Sequence, residues 1–150
     1  MKTVFSGIQP TGKVHLGNLL GAINNWVSLS NEESKNYFCV VDLHSLTTHP
    51  DPSKMQENIQ ETIKVLVSSG INQKNSKIYI QSNVPEHVQL SWILSNFCQI
   101  GELQRMTQFK EKSDQLGSHA GILTYPILMA ADILIHKANE VPVGDDQTQH

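Results

Sequence analysis

Apolar residues along the chain fall into short runs and longer helical stripes, and the two alternate. Residues 3–8, 37–42 and 77–81 are brief runs rich in Val, Ile, Phe and Tyr, which predicts three buried strands. After the first run the turn Gln9-Pro10-Thr11-Gly12 leads into a helix predicted over 15–29. Asp51-Pro52 opens a second helix, with Asp as N-cap and Pro at the first helical position. Met55, Ile59, Ile63 and Leu66 form its apolar stripe and Gly70 ends it. Pro85 introduces a third helix, with Leu90, Leu94, Phe97 and Ile100 expected to face the core, and 102–112 continues as a polar helical segment. A polar loop is expected over 113–120, a strongly apolar helix over 122–138 and a last short strand over 140–143. Gly144-Asp145-Asp146-Gln147 then reads as the turn opening one more helix. Strands alternating with helix-length crossovers predict an α/β fold: a doubly wound, Rossmann-like parallel sheet with helices on both faces and right-handed connections.

A chain of 150 residues suits one core, and 39% hydrophobic with 17% charged residues is enough to fold. The net charge of −3 and pI near 6.1 argue against a domain that wraps nucleic acid, so no DNA partner is expected and RNA contact is local. Cys39 and Cys98 lie in apolar surroundings without metal-ligand spacing, so both are read as reduced core thiols, as in a reducing cytosol. The first ten residues carry one basic residue and reach a Gly/Pro turn before an apolar stretch of signal-peptide length forms. No apolar run approaches the roughly 18 residues of a membrane helix, so a soluble, cytoplasmic protein is expected.

In open α/β sheets ligands bind outside the carboxyl ends of the strands, here the turns after Ile8, Asp42, Gln81 and Val143. The first is the richest: Gln9 to Asn18 joins strand to helix with two glycines, a hydroxyl, a lysine and an imidazole. Gly17 removes a side chain where a nucleotide would approach, and amides at a helix start favour phosphate. The run matches neither the lysine-containing phosphate loop nor the dinucleotide turn, and an ordinary tight turn accounts for its spacing as well. The second place is the apolar helix, where Tyr125, Met129, Asp132 and His136 share one face. A lone carboxylate there is either a paired core group or a ligand acceptor, and its charge needs compensation. His49, His87, His119 and His150 share no metal-ligand spacing, so no transition-metal site is assigned. Trp26 and Trp92 are read as packing residues.

His15-Leu16-Gly17-Asn18, placed after the first strand, resembles the HIGH element of class I aminoacyl-tRNA synthetases. Further segments are similar to bacterial-type tryptophanyl-tRNA synthetases: Phe5 to Gly12 followed by Gly17-Asn18, Gly101 to Leu103 with Arg105 to Lys112, Tyr125-Pro126, Leu128 to Leu134, and Val141 to Gln147. The resemblance implies ATP-dependent activation of L-tryptophan to tryptophanyl-adenylate, transfer to tRNA(Trp), and a homodimer. It places Gln9, Pro10, Thr11, Gly17, Asn18, Gly144, Asp145 and Asp146 at ATP, with His15 and Asn18 as the catalytic elements. It places Phe5, Gly7, His44, Tyr125, Met129, Asp132, Val141, Val143 and Gln147 at tryptophan, with Asp132 reading the indole N–H. The indole nitrogen only donates, so a carboxylate in an apolar slot is its natural acceptor. Phenylalanine would leave that acceptor unpaired, the kind of penalty that rejects a competitor by about 10⁴ to 10⁵ fold.

Tryptophan's own carboxylate is already a nucleophile, so the implied reaction needs alignment and charge stabilisation, with Mg²⁺ accompanying ATP and no tightly bound protein metal. The second histidine of the HIGH element is replaced by Asn18. The KMSKS lysine loop and the anticodon-binding domain lie beyond residue 150 in the family resembled, so the chain is expected to be an incomplete catalytic domain, inactive alone. Three alternatives stay open: a tyrosyl-tRNA synthetase, a small nucleotidyltransferase of the phosphopantetheine adenylyltransferase kind, and a noncatalytic binding fragment.

Overall fold

The computed structural model describes residues 1–11, 19–106, 109, 117 and 119–142. Three strands, β1 (Lys2–Ile8), β2 (Ser34–Val40) and β3 (Ser76–Ile80), form a parallel sheet in the order β1-β2-β3. Glu140 bridges Val4 in parallel on the other edge of β1. There the Phe5 N–H donates to the Glu140 carbonyl at 3.1 Å and the Glu140 N–H to the Thr3 carbonyl at 3.2 Å. Within the described residues the strand expected over 140–143 is this bridge. The chain thus moves outward from β1 through β2 to β3 and returns on β1's opposite side. That reversal is where an open parallel sheet leaves a crevice beyond its carboxyl ends.

Side chains alternate across β2, and each face has its own helical cover. Phe38 and Val40 pack with Ile23, Trp26, Ile59, Leu66 and Ile71 on one face, where Trp26 stacks on Phe38 with centroids 4.5 Å apart. Cys39 and Val41 pack with Phe5 on the other, against Ile133 and Ala138. The first face is covered by α1 (Asn24–Ser30), entered through a π-helical turn at Leu19–Ile23, and by α3 (Pro52–Ser68). Asp51 caps α3 by accepting from the Ser53 N–H at 2.9 Å, and Gly70 leaves it at φ +91. The second face is covered by α6 (Ala120–Ile135), on which α4 (Glu86–Ser95) and α5 (Ile100–Arg105) pack. A four-residue α2 (Asp42–Ser45) follows β2, and a 3-10 turn, Gln81–Asn83, follows β3.

Several expectations are corrected. Asp42 and Gln81 do not close their strands; each opens a helical turn, and the Asp42 carboxylate accepts from the Ser82 N–H at 3.0 Å, tying the two turns together. Within the helix expected over 102–112, α5 ends at Arg105 and Met106 is extended, Phe109 is helical again, and residues 107, 108 and 110–112 lie outside the described residues. Phe97 is 82% exposed and Ile100 and Cys98 are also exposed, so none of the three is core. Trp92, read as a packing residue, is 73% exposed. Trp92 stands on α4, which is apolar on two sides and packs one of them on α6, whereas Phe97 and Cys98 lie past its end at Ser95 and Ile100 opens α5.

Candidate functional site around Asp132

The carboxyl ends of the strands bring four elements to one carboxylate. Asp132 comes from the middle of α6, His44 from α2 after β2, Gln81 from the turn after β3, and His87 from the first turn of α4. The carboxylate is 1% exposed. His87 donates from Nδ1 to Oδ1 at 2.7 Å and His44 from Nε2 to Oδ2 at 2.8 Å. The Gln81 amide nitrogen donates to both oxygens, at 2.8 Å and 2.9 Å. Burial alone pushes the Asp132 carboxyl up, yet the bonds from His44 and His87, the charge on His44 and the bond from Gln81 together hold it below the ordinary carboxylate range. No Lys or Arg is paired with Asp132 among the described residues, so its charge rests on these donors.

Behind His87 the hydrogen bonding continues. The Tyr79 hydroxyl lies 3.1 Å from His87 Nε2 and 2.7 Å from His136 Nε2. Burial raises the Tyr79 hydroxyl well above its ordinary value, so it keeps its proton. A hydroxyl has one proton for two imidazoles, so one ring accepts it and the other presents an N–H. In either arrangement His87 Nδ1–H points at Asp132. Burial, aided by the charge of His87 and opposed by that of Asp132, pushes His136 down to about 4, so it is neutral at neutral pH. Its ring stacks on Tyr37 at 4.2 Å and on Phe5 at 5.6 Å.

Of the residues expected at tryptophan, the structure gathers Tyr125, Met129 and Asp132 on α6 and joins His44 to them through Asp132. Tyr125 is buried and edge-on to His44 at 6.4 Å. Phe5 is buried one helical turn further along, against Ile133 and His136. Val141 is half-buried beside the bridge to β1, where Ser6 Oγ donates to the Pro142 carbonyl at 3.4 Å. Gly7 needs its missing side chain: a Cβ there would stand 2.8 Å from Val41 Cγ1. Gln9, Pro10 and Thr11 leave the carboxyl end of β1, the Thr11 N–H donating to the Gln9 carbonyl at 3.0 Å. His15, Gly17, Asn18, Val143, Gly144, Asp145, Asp146 and Gln147 lie outside the described residues.

His87 and Gln81 were missing from the expected set. Each stands on a different element from Asp132, 45 and 51 residues away in sequence, and nothing local marks the contact. The one available signal was position, since both follow the carboxyl end of β3.

Comparison with known proteins follows the same lines. A profile described as tRNA synthetases class I (W and Y) matches residues 1–150. The tryptophan–tRNA ligase of Clostridium acetobutylicum is 50% identical over 152 residues, covering 99% of this chain and 45% of that protein. The chain therefore spans about half the length of the curated relatives it matches. A crystal structure of the Campylobacter jejuni tryptophanyl-tRNA synthetase, complexed with ADP and tryptophan, superposes with a TM-score of 0.91 at 38% identity, over 99% of this chain and 46% of that one. A tyrosyl-tRNA synthetase from Archaeoglobus fulgidus, at 17% identity and a TM-score of 0.76 over 97% of this chain and 47% of its own, shares the fold. On the strength of that match from the first residue to the last, the chain belongs to the class I tRNA synthetases of the tryptophan and tyrosine type.

Proposed function

We propose that the chain carries the tryptophan pocket and the ATP-binding turn of a tryptophan–tRNA ligase, and that Asp132 is the acceptor that reads the indole N–H. The observation that carries this reading is a fully buried carboxylate, ionised and ringed by donors, at the carboxyl end of a parallel sheet whose order reverses beside it. Half-identity to tryptophan–tRNA ligases across 99% of the chain supports the tryptophan branch over the tyrosine one. The Campylobacter jejuni complex with ADP and tryptophan supports both ligands.

In this reading a tryptophan carboxylate oxygen attacks the α-phosphorus of ATP. A mixed anhydride bond forms, the bond to the bridging oxygen breaks, and pyrophosphate leaves with the electron pair. No side-chain base is needed, so the residues act by alignment. Tyr125 and Gln147 hold the α-amino group, Phe5, Met129, Val141 and Val143 wall the ring, and Gly7 with His44 borders the pocket. Gln9, Thr11, His15, Gly17, Asn18 and the Gly144-Asp145-Asp146 turn face ATP. Mg²⁺ belongs with the triphosphate.

Two further parts belong to the same proposal. The KMSKS loop, the anticodon-binding domain and most of the tRNA contact belong to regions other than these 150 residues. The chain pairs with a second copy through α4 and the turn after it, where Val88, Trp92 and Ile93 of the helix and Phe97 of the turn are exposed beside Ile100 and Leu134. A groove of about 420 Å³ between Leu94, Phe97, Met106, Pro126 and Leu134 adjoins that face.

The test is calorimetric titration of the chain and its Asp132→Asn variant with tryptophan, tyrosine and ATP. Saturable tryptophan binding, weakened by the substitution and absent with tyrosine, is the expected result. ATP binding without tryptophan binding would return Asp132 to a structural role.

A further inference from the structure

The Asp132 carboxylate already accepts four hydrogen bonds, two on each oxygen. That is about all a carboxylate can hold. A ligand N–H must therefore take the place of a donor already there, and the three donor residues are not equivalent. Gln81 is 0% exposed and its amide nitrogen spans both oxygens. His87 is also 0% exposed, and its second ring nitrogen is engaged by Tyr79, which fixes the ring. His44 is the least buried, at 9%, stands on a helix of four residues, and makes a single bond to Oδ2. Its ring stands edge-on to that of Tyr125, with centroids 6.4 Å apart.

We infer that tryptophan is recognised by donor exchange: the indole N–H takes His44's place on Oδ2, while His87 and Gln81 stay bound as the positioning residues that hold Asp132 in place. The inference rests on the proposal that Asp132 is the indole acceptor. It goes beyond that proposal by ranking the donors around the carboxylate. The exchange conserves the number of bonds at Oδ2, so the buried charge is never left short of a donor. It also exposes a cost for apolar competitors. A ring without an N–H that displaced His44 would leave Oδ2 with one donor fewer, which selects against it by the desolvation of a charged group.

Two measurements on the chain test this. The first is nitrogen-15 NMR of the histidine rings and glutamine amides, with and without tryptophan. On tryptophan addition the His44 Nε2 resonance is expected to shift and its proton to exchange faster with solvent, with His87 Nδ1–H and the Gln81 amide unmoved. Movement of His87 or Gln81 with His44 unchanged would overturn the inference. Without ligand, His44 Nε2–H should already exchange faster than His87 Nδ1–H, and the reverse order would overturn it too. That arm needs no tryptophan, so a chain that fails to bind tryptophan contradicts the proposed function and leaves the donor ranking to be decided on its own.

The second measurement is tryptophan affinity in variants. His87→Leu should weaken binding ~10-fold or more. His87→Asn, whose amide nitrogen can stand where Nδ1 stood, should recover to within ~3-fold of the unsubstituted chain, and His44→Leu, which removes the donor that tryptophan displaces, should lose less than His87→Leu. Equal losses for His44→Leu and His87→Leu, or no recovery with Asn in a folded variant, would contradict the exchange.

Discussion

A lone aspartate in a run of Ile, Leu, Met and Ala was the most legible residue of the site, because burying a carboxylate demands compensation and so announces itself in sequence. Its compensation was not legible. His87 follows a helix-opening proline and looks like a first-turn surface residue, yet it is fully buried against Asp132. The consequence at this scale is stability. Asp132→Ala removes the acceptor shared by His44, Gln81 and His87 and should lower stability in urea unfolding, at about 1–3 kcal/mol for a buried donor left unsatisfied. The pH dependence has a definite sign. The folded state holds His136 below its ordinary 6.5, so the unfolded chain binds the proton more tightly and stability falls as pH drops from 6.5 through about 4. Asp132, held below 3.8, contributes stability that is present above that value and is lost as pH falls further through its lowered folded value. Urea midpoints across this range should show two successive losses, and His136→Phe should remove the upper one. Gly7→Ala drives a Cβ to within 2.8 Å of Val41 Cγ1 and should cost about 1–3 kcal/mol by the same measurement.

Elements were legible where periodicity and capping agreed. The helix begun by Asp51-Pro52 and ended at Gly70 was read from local chemistry that survives in the fold, down to the cap bond at Ser53. Asp51→Ala should lower the urea midpoint without altering ligand binding. Boundaries at the crevice were less legible, because Asp42 and Gln81 extend apolar strands and only the neighbouring turn shows that each has left the sheet. The helix α4 failed for a different reason. Its apolar spacing predicts one core-facing stripe, whereas the helix has two apolar sides and packs one of them on α6. Periodicity finds apolar faces but cannot say which neighbour covers each.

Across the whole molecule, alternation of strands and helices was enough to give a parallel sheet covered on both faces, and the position of the crevice followed from its order. The exposed face of α4 belongs to this scale. If it pairs two copies, Trp92→Glu with Phe97→Asp should shift sedimentation from dimer to monomer while the fold, read by circular dichroism, stays unchanged; a single species in both chains would sink the pairing. The central claim concerns a single N–H. Its most direct test leaves the protein untouched: calorimetric titration of the chain with tryptophan and with its benzothiophene analogue, which keeps the ring shape but has sulfur in place of the indole N–H. Tryptophan binding at least ~10-fold tighter than the analogue is the predicted result. Equal affinity for the two would show that Asp132 does not read the indole.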